Sequence, residues 1–135
     1  MRLDLYLAET ALIARTQTAI LNDAHNLLNS GKILSSLENN GVLHVFQVLA
    51  ENAIGKAKHT LKAMDKQVPI SAYDCFSELS RLGVIDANDL SIWNAIVGLR
   101  NRIVHDYMNI DTMKVLELVK SKQYQFIADF LLTPI

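Results

Sequence analysis

An all-α bundle of about five helices is the fold that this sequence of 135 residues predicts. Three observations carry it. Hydrophobic residues make up 50% of the chain and charged ones 20%, a balance that supports a packed core. Glycine is scarce at 5 and proline at 2, which permits long helices and disfavours many-turned β architectures. Apolar residues also recur at helical spacing along most of the length. The chain is read as one domain over residues 1–135.

Tyr6, Ile13, Ile20 and Leu27 recur every seven residues, and Leu7, Ala14, Leu21 and Leu28 form an adjacent column. Together they predict a long first helix over roughly residues 2–29, with a coiled-coil-like seam and Gly31 as its stop. A second helix carries Val42, Phe46, Leu49, Ala53, Ala57, Leu61 and Met64 on one face. Its start has two readings: Ser36 as a cap, or a turn at "ENNG", residues 38–41, that delays it to Val42. Pro69 separates it from a short third helix capped by Ser71, striped by Tyr73, Phe76, Leu79 and Leu82, and stopped at Gly83.

Asp86 caps a fourth helix, where Asp89 complements the N-terminal dipole and Leu90, Trp93, Ile96 and Val97 lead directly into the segment at residues 98–111. Asp111 caps a fifth, with Val115, Leu118, Val119, Phe126, Ile127 and Phe130 as its apolar positions.

A net charge of −1 argues against a broad nucleic-acid-binding surface, so any phosphate recognition is local. The single cysteine, Cys75, excludes an intrachain disulfide and a cysteine-cluster metal site, and reads as a small buried hydrophobe. The N-terminal "MRLDLYLAET" lacks the apolar core of a signal peptide, and no stretch approaches a membrane span, so a soluble cytoplasmic protein is expected. His25, His44 and His59 have no partner at metal-ligand spacing. "KAKHTLK", residues 56–62, reads as a solvated charged face, with guiding of RNA as a minor alternative.

The chemistry is concentrated in "GLRNRIVHDYMNID", residues 98–111. On a straight helix Arg100 and His105 diverge by about 140°, and Tyr107 lies about 200° from His105. Asn101 and Arg102 do share the His105 face. The full set converges only if the helix bends or ends within residues 103–107, or if a second copy of the chain supplies the missing groups. Once gathered, arginine provides a planar fork for phosphate, and histidine takes and returns a proton near neutral pH. Asparagine can fix the imidazole tautomer or donate to an oxyanion, and tyrosine offers a hydroxyl or a stacking ring. Without a carboxylate cluster, this set suits metal-free phosphodiester cleavage. An arginine and a histidine at a helix C-terminus can equally do no more than compensate its dipole.

Read as Arg100-x4-His105-x-Tyr107, the stretch resembles the R-x4-H-x-Y motif of HepT-type HEPN proteins, the toxin halves of HEPN/MNT toxin–antitoxin systems. "FSELSRLGVIDANDLSIWNAIVGLRNRIVHDYMNID" is similar to that family's C-terminal half almost throughout, and "PISAYDCF" to the approach to its third helix. The similarity is strong over about residues 42–131, while the first 40 residues match only as a long amphipathic helix.

The resemblance implies a metal-independent ribonuclease that needs no cofactor, on a helical homodimer whose two motifs form a composite cleft. It places Arg100 on the scissile phosphate and His105 as the acid/base that activates a ribose 2′-hydroxyl, leaving a 2′,3′-cyclic phosphate. Asn101 would support the site, Arg102 would add an auxiliary phosphate contact, and Glu51 occupies a position where some relatives carry an acidic site residue. Tyr107 matches the tyrosine that a minimal nucleotidyltransferase antitoxin modifies with AMP. The alternative is a non-catalytic helical module that binds a separate nucleotidyltransferase. The intact Arg100, His105 and Tyr107 favour the enzyme, since a docking surface needs no acid/base. No nucleotidyltransferase signature occurs in the chain, so adenylyl transfer requires a partner.

Overall fold

The computed structural model describes residues 3–134, and these hold six α-helices and no strand. The helices are α1 (Leu3–Asn29), α2 (Ser36–Ala63), α3 (Ala72–Arg81), α4 (Leu90–His105), α5 (Thr112–Lys120) and α6 (Gln125–Leu132). Single 3-10 turns flank α4, at Ala87–Asp89 before it and Tyr107–Asn109 after it. The expected start of the first helix at residue 2 lies outside the described residues.

Of the two heptad columns on α1, one faces the bundle, and the other meets it at Tyr6, whose ring stacks on His59 of α2 at 3.7 Å. Ala14 and Leu21 are fully buried against α2, α5 and α6, whereas Ile13, Ile20 and Leu27 stay partly exposed beside Leu5 and Leu12. The neighbouring helices cover one side of α1, and Thr10 and Thr18 fill the rest of that buried side. Gly31, at φ +89°, stops α1 as expected.

The start of α2 is decided by a capping box one residue earlier than expected. Ser35, not Ser36, is the cap: its Oγ accepts from the Glu38 N–H at 3.1 Å, and Glu38 accepts from the Ser35 N–H at 2.9 Å. The same bond, with Lys32 at 3.0 Å, holds the Glu38 carboxyl below its ordinary range. "ENNG" is therefore helical. Val42, Phe46, Leu49, Ala53, Ala57 and Leu61 are buried along α2, while Met64 lies just past its end and is partly exposed.

The charged "KAKHTLK" face is not wholly solvated. Lys56 is 2% exposed, and its ammonium donates to the Thr133 carbonyl at 2.5 Å and to the Phe130 carbonyl, over the Phe130 ring. It thereby ties α2 to the C-terminus of α6, where orphan carbonyls and the helix dipole favour a cation. Burial lowers its pKa from 10.5. Below that value the unfolded chain binds the proton more readily, so this residue makes stability rise with pH up to about 10.5. Above pH 10 the Tyr6 and Tyr124 hydroxyls oppose this rise, because burial raises their pKa and favours the folded chain only while they are neutral. Lys56→Met leaves two carbonyls without their donor and is expected to cost about 1–3 kcal/mol. Thermal melts at neutral pH and between pH 8 and 10 check both the loss and the flattened pH slope.

Ser71 caps α3 by accepting from the Asp74 N–H at 3.4 Å, and Gly83 stops it at φ +76°. Cys75 is fully buried, with its thiol on the Pro69 carbonyl at 3.4 Å, and burial pushes its pKa up. Tyr73, expected in the core stripe, is instead 39% exposed at the edge of a cleft. Asp86 caps the 3-10 turn that leads into α4, accepting from the Asn88 N–H at 2.8 Å.

Trp93 anchors α4. Its ring stacks on Phe76 of α3 at 4.5 Å and meets Phe126 and Phe130 of α6 at 4.8 and 4.7 Å. These contacts bury the indole almost completely and set the rotation of α4, and hence the direction of Arg100 two turns later.

The expected fifth helix is two. Asp111 caps α5, accepting from the Lys114 N–H at 3.3 Å, but the chain breaks at Lys122, which adopts φ +58°. The Gln123 N–H bonds the Leu118 carbonyl at 2.9 Å and the Lys122 N–H the Val119 carbonyl at 3.1 Å, a Schellman stop with lysine where glycine is usual. The break lets Tyr124 turn inward, where its hydroxyl donates to Asn22 of α1 at 2.5 Å.

Candidate functional site

The last turns of α4 carry the candidate residues. With Trp93 and Val97 buried, the helical repeat points Arg100 towards α2. Its Nη1 donates to the Asn101 side-chain oxygen at 3.0 Å, and its Nη2 lies 3.5 Å from the Glu51 carboxylate. Its Nε is buried and has no hydrogen-bond partner. Glu51 thus joins Arg100 across two helices, and Asn101 supports the guanidinium rather than an imidazole.

The Arg100 and Glu51 side chains are 28% and 42% exposed. An ion pair that open to solvent contributes about 0–1 kcal/mol. Glu51 therefore orients the guanidinium without locking it, and a phosphate can displace the carboxylate at small cost.

The helix ends at His105. Asp106 leaves helical geometry at φ −143° and ψ 41°, and its N–H closes on the Arg102 carbonyl at 2.8 Å. Of the two ways the motif can converge within one chain or across two, the first condition, a helix end within 103–107, is met. His105 and Arg102 are both exposed, and their side chains make no hydrogen bond or ion pair among the described residues. The structure does not tie His105 to Arg100.

Tyr107 sits in the 3-10 turn beyond, which the Asn109 N–H and side chain fasten to Asp106 at 3.1 and 2.7 Å. Its hydroxyl is 67 residues from Asn40 in sequence yet donates to the Asn40 side-chain oxygen at the start of α2. Asn40 is the residue that sequence reasoning missed. "ENNG" drew notice only as a possible turn, and nothing local links it to Tyr107.

An apolar cavity of about 210 Å³ lies beside Arg100 and Arg102, between α2, α4 and α5. Phe46, Ile92, Ile96, Leu99 and Ile110 line it. Ile103 is 5% exposed and already packed within the chain, whereas Ile92 is 43% exposed. Among the described residues no group of three or more His, Cys, Asp or Glu side chains is placed to hold a metal ion, and no helix is long and apolar enough to cross a membrane.

The family model described as Ribonuclease HepT-like matches residues 15–132. The chain belongs to that family. The match takes in the Arg100-x4-His105-x-Tyr107 segment and reaches back into α1, beyond the part where the sequence alone resembles HEPN proteins. Among solved structures, the HepT-like chain is similar to one described as the crystal structure of a toxin–antitoxin with AMP-PNP. The TM-score is 0.78 at 18% identity, over 97% of this chain and 99% of that one, a likeness of fold. Comparison with curated proteins finds no match.

Proposed function

We propose that this HepT-like chain is a metal-independent endoribonuclease that acts as the toxin of a toxin–antitoxin pair. The observation that carries it is the last two turns of α4. They hold Arg100, aimed by Glu51 and Asn101 yet free to release them, on the same short element as an exposed, uncommitted His105. Arg100 binds the scissile phosphate through its fork. His105 takes the proton of the adjacent ribose 2′-hydroxyl, and the 2′-oxygen attacks phosphorus. The bond from phosphorus to the 5′-oxygen breaks, and that oxygen leaves with a proton. The products are a 2′,3′-cyclic phosphate and a 5′-hydroxyl end. Arg102, also exposed, adds a phosphate contact.

A homodimer fits the exposure pattern. Ile92, Ile96 and Leu99 form one stripe of α4 that this chain only partly covers, bordering both arginines. Pairing two such stripes brings two motifs together, so that each cleft takes groups from both copies. Ile92→Arg is expected to give a folded monomer with greatly reduced cleavage. Sedimentation at micromolar concentration, with circular dichroism for folding, checks it. An active monomer would remove the composite cleft.

The antitoxin is proposed to be a minimal nucleotidyltransferase that transfers AMP to Tyr107. Two things support this: the Tyr107 hydroxyl at the exposed end of the site, and the AMP-PNP in the similar toxin–antitoxin structure. The direct test incubates purified protein with RNA, with and without EDTA, and analyses the new ends. Cyclic phosphate ends that survive EDTA support the reading, and no cleavage by the unmodified protein refutes it.

A further inference from the structure

A second cleft opens from Arg100 on the side away from the apolar cavity, between α2, the start of α3 and α4, with a volume of about 480 Å³. That is the size range of sites for small organic ligands. Glu51, Gly55 and Lys58 line one wall. Their spacing of four and three residues puts them on a single face of α2, with Lys58 about 10 Å along the axis from the partner of Arg100.

Lys58 is half-buried and its side chain makes no hydrogen bond or ion pair among the described residues. Its ammonium reaches solvent at the cleft with no anion opposite it, so an incoming phosphate meets it without displacing a partner. With Arg100 it gives the cleft two cations against the one carboxylate of Glu51, in a chain whose net charge is −1. Tyr73 lies on the opposite wall. Its hydroxyl end rests on α4 at Gly98, where an added Cβ would come within 3.4 Å of it, so the ring is steadied at one end while 39% of the residue stays exposed. Cations spaced along a cleft beside an exposed aromatic ring are the recognition chemistry of single-stranded nucleic acid.

We propose that this cleft seats the nucleotide next to the scissile phosphate, with Lys58 pairing its phosphate and Tyr73 stacking on its base. The inference rests on Arg100 holding the scissile phosphate, as proposed above, and names how the substrate continues beyond it.

The test measures RNA cleavage kinetics, and binding of an uncleavable all-deoxy oligonucleotide of the same sequence at several salt concentrations. Lys58→Gln is expected to raise KM and Kd roughly tenfold, change kcat less than twofold and flatten the salt slope by about 0.7. Lys58→Arg keeps the charge and restores binding. Tyr73→Ala weakens binding roughly tenfold, with a salt slope like that of the unsubstituted protein. If Lys58→Gln and Tyr73→Ala bind and cleave normally while Arg100→Ala does not, the subsite is refuted and the ribonuclease reading stands. If Arg100→Ala is normal as well, both fall. A fall in kcat alone in Lys58→Gln would overturn the binding role.

Discussion

Replacing His105 with alanine is expected to lower RNA cleavage by roughly 10²-fold or more, the usual scale for loss of a general acid/base. The fold should be indifferent to the change. His105 is exposed at the last position of α4 and its side chain has no hydrogen-bond partner among the described residues, so its removal leaves no cavity or orphaned group. Arg100→Lys is the complementary variant. The guanidinium reaches Asn101 with one terminal nitrogen and Glu51 with the other, and an ammonium cannot span both or grip a phosphate in bidentate fashion. A loss of about 10²-fold is expected there too, on the scale of removing one preorganised donor from a transition state. Single-turnover cleavage at saturating RNA measures both, with melting temperature as control. Unchanged rates in both variants, or complete loss of wild-type activity with EDTA, would place the chemistry elsewhere.

The second large effect concerns toxicity. Co-expressed with the proposed nucleotidyltransferase partner, the wild-type chain should gain mass in AMP-sized steps, and Tyr107→Phe should gain none and remain toxic. The Tyr107 residue is 41% exposed and its hydroxyl donates to Asn40, a neutral surface bond worth about 0.5–1.5 kcal/mol that an incoming nucleotide can displace. Under the proposed control, each AMP would add a phosphodiester with about one negative charge and a bulky base at the Asn40 end of the site, obstructing the path of RNA to the motif. Intact-mass measurement and growth assays decide it together. Adducts that persist in Tyr107→Phe, with toxicity still neutralised, would move the acceptor to another residue.

How far these features were legible depends on how local their causes are. The four helix stops with a left-handed residue make the point. Gly31 and Gly83 were readable as stops, because only glycine takes that backbone without strain. Asp65 and Lys122 adopt the same geometry at φ +57° and +58°, and nothing in their side chains announces it. The second of these turned one expected helix into α5 and α6. It is stabilised from outside, by the burial of Tyr124 and its bond to Asn22, 102 residues away.

The sequence by itself determined the all-α class, the order of the helices, their polar caps at Ser71, Asp86 and Asp111, and the motif of Arg100, His105 and Tyr107. Periodicity, capping and residue chemistry act within a few positions, so one chain read in order reveals them. Only the tertiary structure decided which heptad column of α1 is buried, that Lys56 caps α6, that Glu51 faces Arg100 and that Asn40 holds Tyr107. Each of these joins residues far apart in sequence. A helix specifies the direction of its side chains about its own axis, but not which neighbour they meet, and that is set when packing around Trp93 and the α2 face fixes the helices against one another.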